Sequence, residues 1–147
     1  PLHKGINYDI SEYRFERRGL LHSTIELEGQ KTIHCFCVHL ALLQRGRERQ
    51  LTTILHHIEH LSGNHPTIIA GDFNDWRNTI NKPMGQAGFV DVFESLHGAP
   101  ARTFPSIRPI LPMDRIYVRG LVIQKAEILT EWAKLSDHLA IYAELGH

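Results

Sequence analysis

Between Pro66 and Gly71 the chain carries a short apolar run, Thr67-Ile68-Ile69-Ala70, with no alternation of apolar and polar residues. A run of that length and texture is expected to form a β-strand buried on both faces. It ends abruptly at Gly71-Asp72-Phe73-Asn74-Asp75, where the chain must turn. Upstream, Leu20 to Glu28 alternates loosely, Glu28-Gly29-Gln30-Lys31 reads as a tight turn, and Thr32 to Leu40 follows as a second strand, giving an antiparallel hairpin. From about Gln44 to Ser62, apolar residues at 51, 54, 55, 58 and 61 have helical spacing, with Gly63-Asn64 as the stop.

Downstream, the pattern predicts a short helix around residues 78 to 87 and a brief strand from Phe89 to Phe93. Pro100, Pro105, Pro109 and Pro112 make residues 97 to 112 a long loop, of a length that tends to serve function. Met113 to Val118 and Leu121 to Leu129 read as strands joined by Arg119-Gly120, and Leu139 to Leu145 as the last strand. Residues 1 to 18 read as polar and irregular. No repeat or linker divides the chain, so residues 1–147 are expected to form a single domain. The expected fold class is α/β: one mixed, mainly antiparallel sheet of about six strands with helices on one face.

Composition excludes little. Lysine plus arginine equals aspartate plus glutamate at 16 each, so a broad basic face for nucleic acid is not expected. The local cluster Arg45, Arg47 and Arg49, with Arg14, Arg17 and Arg18 upstream, reads as solvated surface. No apolar stretch is long enough to be a transmembrane helix. Cys35 and Cys37 sit two apart on a strand, a poor geometry for a disulfide, and read as buried free thiols. Free thiols suit a reducing compartment, so a cytoplasmic location is expected.

Three polar constellations interrupt or end apolar strands. In the first, period-two geometry would project Asp72 and Asn74 to the same side, within reach of a common ligand. A carboxylate beside an amide suits a hard cation, a phosphate oxygen or a water, although Asp-x-Asn after glycine is also ordinary turn chemistry. In the second, Ser136-Asp137-His138 puts a carboxylate next to an imidazole just before the last strand. In the third, Asp114 stands in an apolar strand, where a buried acid needs a partner, and His39 is the candidate.

In this order, His39-Leu40, an arginine-bearing helix, Gly71-Asp72-Phe73-Asn74, Asp114 in a late strand and Ser136-Asp137-His138 resemble the endonuclease/exonuclease/phosphatase family. Arg18-Gly19, Arg49-Gln50 and Thr103-Phe104-Pro105 fit the same pattern. The resemblance implies attack of water on a phosphate ester with Mg2+ or Mn2+ as cofactor. By position, Asp72 would orient or deprotonate the water, and Asn74 would hold it together with a phosphate oxygen. Asp137 resembles the metal-side carboxylate that also orients His138, and His138 the histidine that stabilises charge on the phosphate. His39 resembles a histidine near the leaving group, paired to the acid equivalent to Asp114. Such a division of labour suits a reaction that depends on positioning and charge neutralisation.

The family's early asparagine strand and the glutamate that is its principal metal ligand have no counterpart here. The chain thus resembles half of the family's four-layer α/β/β/α sandwich, and a fragment of a longer protein is expected. Its uncovered sheet should then drive self-association. Relatives of this kind act on nucleic acid, nucleotides, inositol phosphates or phospholipid head groups, and the neutral charge slightly disfavours nucleic acid. The alternative is a binding or scaffolding module that keeps the fold without the chemistry.

Other features read as structural. His56-His57-Ile58-Glu59-His60 matches a zinc-protease pattern, but His56 and His60 fall opposite the apolar helix face. Cys35, Cys37, His34 and His39 do not close a tetrahedral site, because His34 points to the other face of the strand. Trp76 and Trp132 could stack on a base or sugar, with edge packing the simpler reading.

Overall fold

The computed structural model describes residues 5–12, 14–29 and 31–146. The expectations for residues 1–4, Tyr13 and the Gln30 position of the hairpin turn lie outside those described. The strands are β1 (Ile6–Asp9), β2 (Gly19–Leu27), β3 (Lys31–His39), β4 (Thr67–Asp72), β5 (Val90–Asp91), β6 (Asp114–Arg119), β7 (Val122–Leu129) and β8 (Ala140–Gly146). The helices are α1 (Gln44–Ser62), α2 (Asn81–Gln86) and α3 (Val92–His97).

Six strands form a sheet in the order β1-β2-β3-β4-β6-β5, while β7 and β8 form a separate antiparallel ribbon. Among the described residues only the β3–β4 pair is parallel, with α1 between the two strands in the chain. The α/β class and the mainly antiparallel sheet are as expected; the separate ribbon is not. β6 and β7 are consecutive but belong to different sheets, which strand periodicity cannot reveal.

The apolar stripe of α1 packs Leu51, Ile54 and Ile58 against Leu20, Phe36, Val38 and Ile69 of the sheet. Met84 of α2 joins this cluster. On the other face Ile68, Ile116 and Val118 meet Ile128, Ile141 and Ala143 of the ribbon. β4 is therefore covered on both faces, as its unbroken apolar run demands.

Several expectations need correction. The irregular segment contains β1, which pairs antiparallel to β2 from Ile6↔His22 to Asp9↔Gly19. Residues 89–93 hold only the two-residue β5, because Asp91 caps α3 by accepting from the Phe93 and Glu94 N–H groups. α3 places Val92 and Phe93 in the ribbon-side cluster, so the helices do not all share one face. Arg47 is not solvated: it is 1% exposed, donates to the Ala41 and Leu42 carbonyls, and lies 5.1 Å over the Trp76 ring. Cys35 and Cys37 are free, but Cys37 is exposed, on the face opposite buried His34, Phe36 and Val38. His56 and His60 are exposed on α1, as helical geometry requires. Among the described residues, no helix is long and apolar enough to cross a membrane.

Candidate active site

The end of β4 gathers the polar residues. In parallel register His39 of β3 lies beside Asp72, and in antiparallel register Asp114 of β6 lies on Asp72's other side. Side chains at matched positions of neighbouring strands share a face. One row across three strands therefore presents an imidazole and two carboxylates. Gly71 makes the close approach possible: at φ 141° a Cβ there would sit 2.0 Å from the Val38 carbonyl oxygen.

His138 arrives from the segment before β8, and its Nδ1 lies 2.7 Å from Asp114 Oδ2. A carboxylate only accepts, so Nδ1 carries the hydrogen and Nε2 is left for a ligand. Thr103, fully buried, donates its hydroxyl to the same Asp114 oxygen at 2.5 Å, and the Asp114 N–H donates back to that hydroxyl at 3.3 Å. The Phe104 ring lies 4.9 Å from that of His138. Ligand atoms of Asp72, Asp114 and His138 all fall within 4.8 Å of one another.

Electrostatics follow from this crowding. Burial raises the Asp72 carboxyl above its usual range, the Asp114 charge adds to the rise, and the Asn74 N–H, His39 and His138 oppose it. Burial pulls the His138 imidazole down, but the Asp114 hydrogen bond and the charges of Asp114, Asp72 and Asp137 outweigh it, leaving a net rise. Two facing carboxylates with one hard to ionise form an oxygen-rich pair that a hard cation would relieve. The donor set thus fits part of a divalent-cation site.

The expected residues are not all placed as expected. His39 Nε2 is 3.4 Å from Asp72 Oδ2, not paired with Asp114, because β4 separates β3 from β6. Asp137 is exposed, its carbonyl held by the Ser106 N–H at 2.7 Å, and the acid on His138 is Asp114 instead. Asn74 leaves the strand period altogether. At φ 51° its N–H donates to Asp72 Oδ1 at 2.8 Å and its Nδ2 to the Leu40 carbonyl at 2.9 Å. The turn reading of Asp72-x-Asn74 is thus realised, and the turn fixes the Asp72 carboxylate. Thr103 was legible only as part of Thr103-Phe104-Pro105; its hydroxyl on Asp114 needed the loop's path.

Residues 11–138 match the endonuclease/exonuclease/phosphatase family. The chain is 41% identical over 150 residues to the uncharacterized protein YbhP of Escherichia coli (strain K12), covering 99% of this chain and 59% of that protein. It thus spans 59% of the length of this curated relative. Its fold is similar to the endonuclease/exonuclease/phosphatase from Bacteroides vulgatus, with TM-score 0.80, 18% identity, and 99% of this chain and 65% of that one covered. It is also similar to D. rerio TDP2 complexed with single-strand DNA product, with TM-score 0.76, 18% identity, and coverage of 99% and 68%. With its family motifs converging on one strand-end site, the chain belongs to the endonuclease/exonuclease/phosphatase family.

Proposed function

We propose that the intact protein is a Mg2+- or Mn2+-dependent hydrolase of phosphate esters, with its reaction centre at the β4 end. The observation that carries this reading is the convergence of Asp72, Asp114 and His138 within 4.8 Å. A bound divalent cation would be held on the Asp72 and Asp114 side and would neutralise charge on the phosphate oxygens. Asp137, exposed beside His138, can add a carboxylate from the rim.

The chain's own groups divide the remaining work. Asp72, with its raised carboxyl, accepts a proton from the attacking water as the new P–O bond forms. Asn74 fixes that carboxylate and keeps a second amide hydrogen for a phosphate oxygen. His138, oriented by Asp114 and Thr103, turns Nε2 toward the phosphate, where its positive form stabilises the developing charge. As the old P–O bond breaks, the departing alcohol oxygen takes a proton from solvent, while the exposed His39, 3.4 Å from Asp72 Oδ2, borders the side of the attacking water.

Hydrolysis of an aryl phosphodiester by the intact protein, with and without Mg2+ or Mn2+, tests the reading. Metal-dependent turnover that falls about a hundredfold or more in Asp72→Asn is expected. No turnover on diesters or monoesters would transfer the assignment to a binding module.

A further inference from the structure

The 40–43 turn forms one wall of the reaction centre. The Leu40 N–H donates to the Asp72 carbonyl at 2.9 Å, and the Leu40 carbonyl accepts from Asn74 Nδ2 at 2.9 Å. Asn74 in turn holds the Asp72 carboxylate through its own N–H. The aim of Asp72 therefore depends on where the Leu40 carbonyl points, and so on what holds the turn.

Two side chains from the first two turns of α1 hold it. Gln50, 1% exposed, accepts from the Ala41 N–H at 2.8 Å and donates to the Ile10 carbonyl at 3.2 Å. Arg47 donates through Nη1 to the Ala41 carbonyl at 3.3 Å and to the Leu42 carbonyl. Its guanidinium also lies 5.1 Å over the ring of Trp76, just beyond Asn74 in the chain. Arg47 thus touches both segments between which Asn74 is clamped.

Packing alone does not call for an arginine here. Similarly buried Arg115 meets Asp91, whereas Arg47 forms no ion pair among the described residues and its buried Nε has no acceptor. Burial, with Arg77 adding to it, outweighs the charges of Asp75 and Glu48 and lowers the guanidinium pKa. The side chain also reaches back past the start of α1, where the helix dipole disfavours a cation. An apolar side chain of similar length would fill the space without these costs. It could not join two carbonyls of the turn to a ring on the opposite loop.

We propose that Arg47 is a positioning residue: it locks the 40–43 turn against the loop bearing Trp76, so that Asn74 keeps Asp72 aimed at the attacking water. The role in turnover rests on the phosphoesterase reading; the lock itself does not. NMR of the intact protein reads the lock as exchange of the Asn74 side-chain amide hydrogens with water, and turnover of the aryl phosphodiester with Mg2+ reads its effect. In Arg47→Met, Asn74 exchange is expected to quicken at least about tenfold while the β3 backbone amides keep their wild-type rates. In the same variant kcat should fall about tenfold to a hundredfold, with KM within about twofold of wild type. Arg47→Lys keeps the charge but not the planar fork, so it should fall between wild type and Arg47→Met, and it carries the test if the methionine variant does not fold. Unchanged Asn74 exchange would overturn the lock. Equal quickening of the β3 amides would overturn it too, by assigning Arg47 to general stability. A raised KM with unchanged kcat would overturn the positioning role. If the wild type hydrolyses no ester, the hydrolase reading falls, and Asn74 exchange still decides the lock.

Discussion

His138 sits where burial and neighbouring charge oppose each other, and charge prevails. A histidine whose folded pKa exceeds its unfolded value near 6.5 adds stability that is fully present below that pH and is lost as pH rises through the folded pKa. Asp114→Asn removes both the charge and the acceptor's strength. In the metal-free protein the His138 pKa should therefore fall, as read by NMR titration of its ring protons. The alkaline loss of stability attributable to His138 should shrink in parallel in urea melts. An unmoved His138 titration would mean that Asp114 does not govern it. The same substitution loosens Thr103, whose hydroxyl has Asp114 as its acceptor.

At the scale of elements, the β4 loop is braced from beneath by a buried ion pair. Arg115 Nη1 of β6 lies 3.1 Å from Asp91 Oδ2, with both side chains 1% exposed. Arg115 Nη2 reaches the Asp75 carbonyl at 3.3 Å and Asn78 Oδ1 at 3.2 Å. Asp75 itself accepts from Thr79 and from the Ile80 N–H, so the turn after Asp72 is fixed at both ends. Removing one partner of a buried pair strands the other charge. Asp91→Ala, which also uncaps α3, should lower unfolding free energy by about 3–5 kcal/mol in urea. A loss below about 1 kcal/mol would show that Arg115 finds another partner.

At the scale of the molecule, the two sheet faces are covered unequally. α1 and α2 seal one face, while the ribbon covers the other only around β4 and β6. On the β2–β3 side Leu21, Leu27 and Cys37 remain exposed, with Ile25, Ile33 and Cys35 half-buried. An apolar sheet surface of this kind favours association. The isolated chain is expected to self-associate by analytical sedimentation, and Leu21→Lys with Leu27→Lys to shift it toward monomer. A clean wild-type monomer at high concentration would refute this.

The sequence by itself determined the elements whose partners are local and whose period is pure. The α1 stripe, the β2–β3 hairpin and the doubly covered β4 follow from spacing alone, because one repeat length matches one geometry. The order of family motifs also pointed to His39, Asp72, Asn74, Asp114, Asp137 and His138 as one candidate site. Tertiary structure decided how they combine. Which acid meets which histidine depends on β4 lying between β3 and β6, a long-range pairing that no spacing encodes. Burial of Arg47 likewise required the 40–43 loop and Trp76 to close around it. Local periodicity is written in neighbours along the chain, whereas strand order and charge pairing arise between residues that meet only after folding.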